Sequence, residues 1–264
     1  MIRVESLAVT FGRGTPLEKR ALEGLTLAIE AGEFVSVIGS NGAGKSTLLS
    51  AIAGDVPPSA GRIVIDDEDV TRQPTAQRSA RVARVFQDPL AGSCGQLTIE
   101  ENLAIAAARG RARGLRHALT RERRALFHER LATLGLGLEA RLHDRMALLS
   151  GGQRQALALV MATLAGSSVL LLDEHTAALD PGMAEFVIGL TRRTVAEHRL
   201  TTLMVTHSMR QALDLGTRTI MLHEGKLVLD VKGSERTGLT VEDLVAMFRR
   251  TRGRTLDDDA LLIG

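Results

Sequence analysis

The chain of 264 residues contains no tryptophan, no tyrosine, six phenylalanines and a single cysteine, Cys94. One cysteine excludes an intramolecular disulfide framework and any metal site built on several thiolates, and it fits a reducing compartment. Long apolar runs are also missing. None reaches the roughly 18 residues that a membrane-spanning helix requires, so a role at a membrane implies a partner chain. The opening MIRVESLAVTF carries charges where a signal peptide is apolar, and the expectation is a cytosolic protein. Nor is there an excess of charge of one sign. Lys and Arg number 33 against 31 Asp and Glu, a formal net charge of +2, which makes no case for a nucleic-acid partner. Internal repeats are absent as well, so a single unit is expected rather than two fused copies.

What the chain does have is the composition of an ordinary globular protein, 44% hydrophobic and 24% charged. Residues 2–11 and 20–30 mix apolar and polar side chains as antiparallel strands with one wet face do. FVSVIG (34–39) is a continuous apolar run that suits a fully buried strand. RIVIDDEDV (62–70) and ARVARVFQ (80–87) read as two further strands. From Asp88 to about Leu148 the chain turns Ala-, Leu- and Arg-rich with helical spacing. SVLLLDE (168–174), RLTTLMVTH (199–207), RTIMLHEG (218–225) and KLVLDV (226–231) return to strand character, with a helical stretch from Met183 to about His198. This pattern predicts an α/β fold with a parallel sheet, preceded by an N-terminal antiparallel β-subdomain and interrupted by an inserted α-helical subdomain. The expected division is an α/β core over 1–87 and 161–250, a helical subdomain over 88–160 and a polar tail over 251–264, all in one domain.

Three short segments carry chemistry. GSNGAGKST, comprising Gly39, Ser40, Asn41, Gly42, Ala43, Gly44, Lys45, Ser46 and Thr47, matches the phosphate-binding loop G-x-x-x-x-G-K-[ST]. It lies where the physics requires, between a buried strand and a helix. The glycines let consecutive backbone N–H groups face phosphate oxygens, Lys45 brings a point charge for the β and γ oxygens, and Ser46 is placed to ligate Mg²⁺. LLLDE (170–174) ends a buried strand with adjacent carboxylates, which are costly to bury without a cation. Asp173 is the natural partner of Mg²⁺, directly or through water, and Glu174 can orient an attacking water or accept its proton. Ser150, Gly151 and Gly152 open a helical run, a second place where helix N–H groups can meet an anion.

With LSGGQ (149–153), the chain resembles the ATP-binding cassette (ABC) ATPases over nearly its whole length. The phosphate loop, Gln87 after a strand, LSGGQ, LLLDE, TAALD (176–180) and His207 after a strand occur in that family's order. The resemblance implies a phosphate-loop ATPase that binds ATP and Mg²⁺ and works as a head-to-tail homodimer or paired cassette. In such a dimer Ser150, Gly151, Gly152 and Gln153 of one chain close over the γ-phosphate held by the other, and Asp180 crosses the interface. Gln87 would sense Mg²⁺ and the attacking water, His207 would contact the γ-phosphate and hold Glu174 in register, and Phe11 would stack on adenine. The implied partners are a transmembrane permease and an extracytoplasmic solute-binding protein, with the cassette peripheral on the inner face of the plasma membrane.

Two features depart from most of the family. His175 stands where Pro is usual, and GRGTPLEKR (12–20) lengthens the first hairpin loop; both resemble a group of bacterial importers, some assigned to tryptophan or tyrosine. Import is the leading expectation. An exporter ATPase, a soluble ABC ATPase acting on ribosomes or DNA, and a subunit of a metabolic complex are the alternatives. A kinase is disfavoured, since no acceptor-binding element is visible. Arg109, Arg111, Arg113, Arg116, Arg121, Arg123 and Arg124 read as a solvated face, or else as a patch near anionic headgroups or acidic permease loops. Cys94 reads as an incidental loop residue.

Overall fold

A computed structural model of the chain describes residues 1–111 and 117–252. Arg113, Arg116 and all but the first two residues of the polar tail lie outside the described residues. In chain order the elements begin with β1 (Ile2–Phe11), β2 (Lys19–Ile29), β3 (Phe34–Ile38), α1 (Lys45–Ala53), β4 (Ala60–Ile65) and β5 (Glu68–Asp69). There follow α2 (Thr75–Arg78), β6 (Val82–Val85), α3 (Ile99–Ala107), α4 (Arg121–Ala132), α5 (Gly151–Thr163), β7 (Val169–Asp173) and α6 (Pro181–His198). The last are β8 (Thr201–Val205), α7 (Met209–Leu215), β9 (Arg218–His223), β10 (Lys226–Lys232) and α8 (Val241–Arg252). The described residues form two compact units, one within Met1–Thr75 and from Leu200 onward, the other within Ala76–Arg199.

The first unit holds an antiparallel sheet in the order β2-β1-β4-β5. Alternation in β1 and β2 puts Ile2, Val4, Leu7, Val9, Leu25, Leu27 and Ile29 inside, as a half-buried sheet requires. The expected strand over 62–70 is instead a hairpin. Asp66 (φ 48°) and Asp67 (φ 63°) both take left-handed conformations, the tight turn that suits the right-handed twist of paired strands. In the same unit β3 is buried at all five residues and runs parallel to both β8 and β9, while β10 closes on β9 antiparallel. Arg218 ties this region together through Asp230 (2.6 Å), Glu33 (3.3 Å) and the carbonyl oxygen of Ala28 (2.7 Å). α8, which the sequence pattern did not single out, buries Leu244 and Phe248 against Ile38, Met209 and Met221.

In the second unit β6 and β7 pair in parallel, from Val82↔Val169 to Val85↔Leu172. Ile99, Leu103, Phe127, Leu131 and Leu157 form its helical core, each fully buried. Thr98 caps α3 with a reciprocal capping box to Glu101, and Thr120 caps α4. The arginine run is not one solvated face. Arg109 Nη2 donates to the carbonyls of Met161 (3.0 Å) and Ala162 (2.6 Å), satisfying two of the orphan acceptors in the last turn of α5. Arg124 pairs with buried Glu100 at 2.7 Å. The loop around Cys94 is likewise held, because Asn102 bonds both the N–H (2.8 Å) and the carbonyl (3.0 Å) of that residue.

Candidate nucleotide-binding and hydrolysis site

In the first unit, the buried strand β3 delivers the phosphate-loop segment at its C-terminal edge. Gly39 (φ 144°) has no room for a side chain, since a Cβ there would collide with the carbonyl oxygen of Leu222. Gly44 (φ 101°) opens α1, and a Cβ would stand 2.6 Å from the carbonyl oxygen of Ala21. With neither a side-chain cap nor an acidic residue in its first turn, α1 offers its N-terminal end to an anion. Lys45 is buried at 5% exposure, its Nζ donating to the carbonyls of Gly39 (2.7 Å) and Ser40 (3.1 Å). The β9–β10 turn braces the loop through the Gly225 N–H on the Ala43 carbonyl (3.1 Å). Asn41, Gly42 and Ser46 are exposed and Thr47 is half-buried.

Val37 of β3 pairs with Val205 of β8, so His207 leaves the sheet at the same edge as the phosphate loop. The C-terminal edge of parallel strands is where open α/β sheets bind ligands. Thr206 anchors this turn by accepting from the Ser208 N–H (3.1 Å) and donating to Gln211 (3.0 Å). Phe11, the last residue of β1, is 43% exposed.

In the second unit, the parallel pair β6–β7 brings Gln87, just past β6, and Asp173–Glu174, at the end of β7, to one sheet edge. The Asp173 carboxylate accepts from Arg84 Nη2 at 2.7 Å, and the Arg84 guanidinium lies 4.7 Å above the Phe86 ring centroid. The sequence reading missed Arg84. An arginine inside an apolar strand is a signal, but its partner stands 89 residues away. Both side chains are largely buried, and removing one partner of such a pair is destabilising. Arg84→Met, which keeps the apolar stem, is expected to cost about 3 kcal/mol of stability, read as a lower urea midpoint. An unchanged midpoint would mean that Asp173 needs no fixed cation.

Ser150 caps α5 in a reciprocal box, its hydroxyl accepting from the Gln153 N–H (3.2 Å) while the Gln153 side chain accepts from the Ser150 N–H (3.1 Å). A Cβ on Gly152 would run into the Met183 side chain, so any other residue there would require Met183 to shift. Gln155 Nε2 bonds the Phe86 carbonyl (3.2 Å), tying this helix to the residue before Gln87. A cavity of about 410 Å³ is lined by Gln87, Gly151, Arg154, Gln155, His175 and Leu179. Asp180 caps α6, accepting from the Met183 N–H (3.0 Å) with Pro181 at the first helical position.

Glu174 is half-buried and has φ 46°, which costs a non-glycine residue about 1–2 kcal/mol. Beside it His175 is buried, its Nε2 3.0 Å from the Thr191 hydroxyl, and burial pushes the imidazole pKa down from 6.5 to about 4. The folded state therefore resists protonation that the unfolded chain accepts. Stability from this residue is complete above pH 6.5 and drains as pH falls toward 4, by about 3 kcal/mol. Urea titrations across that window should show the slope in the native chain and lose this part of it in His175→Gln. An equal slope in both proteins would place the titration elsewhere.

Together, a glycine cradle with a buried lysine, a strand-end carboxylate pair and a capped glycine-rich helix start define a phosphate-loop nucleotide-binding protein. Residues 22–177 match the model of the ABC transporter family. The tyrosine transport ATP-binding protein of Clostridioides difficile is 45% identical over 248 residues, covering 94% of this chain and 98% of that protein. Among solved structures, a dimeric ATP-binding cassette in a post-hydrolysis state bound to ADP and Pi is 30% identical with a TM-score of 0.75, over 88% of this chain and 98% of that one. The cbiO1 cassette of Clostridium perfringens, described as part of the ABC transporter complex cbiONQ, is 25% identical with a TM-score of 0.75, over 94% of each chain. The chain belongs to the ABC transporter family and is its ATP-binding, ATP-hydrolysing subunit. The predicted antiparallel N-terminal sheet and mostly parallel core sheet are those of the cassette fold.

Proposed function

We propose that this chain is the motor of a solute importer, acting as a homodimer on a separate permease at the cytoplasmic face of the membrane. In this reading the loop Gly39–Thr47 cradles the ATP phosphates, with Lys45 turned from its carbonyl partners to the β and γ oxygens and Phe11 stacked on adenine. Ser46 and Asp173, with Gln87, would hold Mg²⁺. Their all-oxygen donor set fits that ion, which binds through few protein ligands plus phosphates and water. When bound, Mg²⁺ would neutralise charge on the phosphates. Glu174 orients and deprotonates the attacking water, and His207 holds the γ-phosphate. Ser150, Gly151, Gly152, Gln153 and Asp180 complete the site of the partner chain, so closure of the dimer and binding of ATP are linked.

The observation that carries the coupling to a permease is a groove of about 100 Å³ in the helical region. Arg84, Phe86, Pro89, Ile105 and Ala158 line it, and its rim carries exposed apolar surface at Ile105 (54%). A short apolar helix of a permease seated there would press on Arg84, whose other end holds Asp173. Among the described residues no helix is long and apolar enough to cross a membrane, so the permease is a separate chain in this reading. A solute-binding protein outside the membrane would complete the importer. Tyrosine, named for the Clostridioides difficile relative, is the solute to test first.

The test is capture of tagged Glu174→Gln protein with Mg-ATP from solubilised host membranes. Import requires a stoichiometric multi-span permease, and a solute-binding protein that joins the complex. A permease that moves solute outward would make this an exporter cassette. Repeated recovery of ribosomal or metabolic partners alone would overturn transport.

A further inference from the structure

We propose that His175 is a positioning residue for hydrolysis, its ring bond to Thr191 clamping the turn that carries Glu174. The inference rests on the reading of Glu174 as the group that activates water. Glu174 has a left-handed backbone (φ 46°), a conformation that a non-glycine residue keeps only where its surroundings hold it. The turn after it is closed by backbone bonds, from Ala177 N–H to the Glu174 carbonyl (3.0 Å) and from Leu179 N–H to the Thr176 carbonyl (3.2 Å). Ala177 is exposed and Leu179 half-buried, so much of this turn is open to competing water.

The His175–Thr191 contact is different in kind. His175 is 3% exposed and Thr191 0%. The Thr191 hydroxyl donates its one hydrogen to the Val187 carbonyl (2.8 Å), four residues back along α6. The 3.0 Å contact with His175 must then run from an N–H at ring Nε2 to the hydroxyl oxygen. That single arrangement selects the tautomer and sets the ring orientation. The peptide next to Glu174 is thereby tied to the middle of α6, 16 residues on, by a bond that water does not reach. His175 also lines the cavity shared by Gln87 and Gly151. A buried histidine that merely fills space would need none of this directionality.

Thr191→Val removes the hydroxyl while keeping the shape, and Thr191→Ser keeps the hydroxyl. The valine protein is expected to lose kcat on the order of tenfold at unchanged KM and unchanged ATP affinity, as a displaced catalytic group would cause. The serine protein should recover most of it. His175→Gln, whose amide N–H can reach the same hydroxyl, should stay well above His175→Ala. Unfolding midpoints are measured on all four, and kcat is compared well below the lowest of them. A valine protein with wild-type kcat and only a lowered midpoint would overturn the proposal, as would equal kcat for His175→Gln and His175→Ala. Wild-type turnover in Glu174→Gln would instead overturn the role of Glu174 itself. Failure of that reading and failure of the clamp are thus read from different proteins.

Discussion

Glu174→Gln is expected to slow ATP hydrolysis at least ~100-fold, the scale of losing a general base, while leaving ATP binding intact. The substitution is nearly isosteric, and the backbone at φ 46° is no harder for glutamine than for glutamate. Asp173 keeps its bond to Arg84 at 2.7 Å, so its carboxylate is not disturbed by the change. The protein should bind nucleotide, close into a dimer and then stall. Three measurements read this out: phosphate release under multiple turnover, titration with a fluorescent ATP analogue, and gel filtration with and without Mg-ATP. Stalled, dimeric and ATP-loaded protein is the expected result. Turnover near that of the wild type would remove Glu174 from its role.

Ser150→Arg is expected to abolish steady-state hydrolysis by a different route. Its hydroxyl accepts from the Gln153 N–H within its own chain, and loss of that cap costs about 1 kcal/mol, too little to unfold a domain of this size. The larger effect is steric and lies between chains, where the arginine side chain would occupy the space meant for the partner's γ-phosphate. ATP affinity of the monomer should be unchanged, because in the proposed arrangement Ser150 meets only the nucleotide held by the partner chain. Dimer formation with Mg-ATP should disappear, even when combined with Glu174→Gln. Ser150→Ala serves as the control, since it loses the same cap without adding bulk. Loss of monomer binding in the arginine protein would contradict a site shared by two chains.

The segments legible in the sequence are those whose chemistry demands residues close together along the chain. Nine consecutive residues make up the proposed phosphate cradle, because a curled backbone must present adjacent N–H groups. Asp173 and Glu174 are neighbours, and the Ser150–Gln153 box spans a single helical turn. The cassette fold followed from strands and helices recurring in order around these landmarks. Partners brought together by tertiary structure left no such trace. Arg84 and Asp173 are 89 residues apart, and Gln155 and the Phe86 carbonyl 69. Arg109 looked like one more charge in a basic run, yet it caps a helix end 52 residues further along the chain. His175 was visible as a departure from the family pattern, but its function as a donor depends on Thr191, a residue that carries no motif. The Asp66–Asp67 turn was lost inside an apparently continuous strand, since aspartates tolerate left-handed conformations that most residues resist.

The division of the site between two chains is tested most directly by mixing two inactive proteins. One carries Lys45→Ala and cannot hold the β and γ phosphates; the other carries Ser150→Arg and cannot close over its partner's nucleotide. In a mixed dimer one composite site combines both defects, whereas the other has an intact phosphate loop from the second protein and an intact signature helix from the first. Hydrolysis should therefore reappear on mixing and rise with the concentration of the limiting protein. If each phosphate loop worked with the signature helix of its own chain, every site in the mixture would carry a defect, and the mixture would stay as inactive as its components.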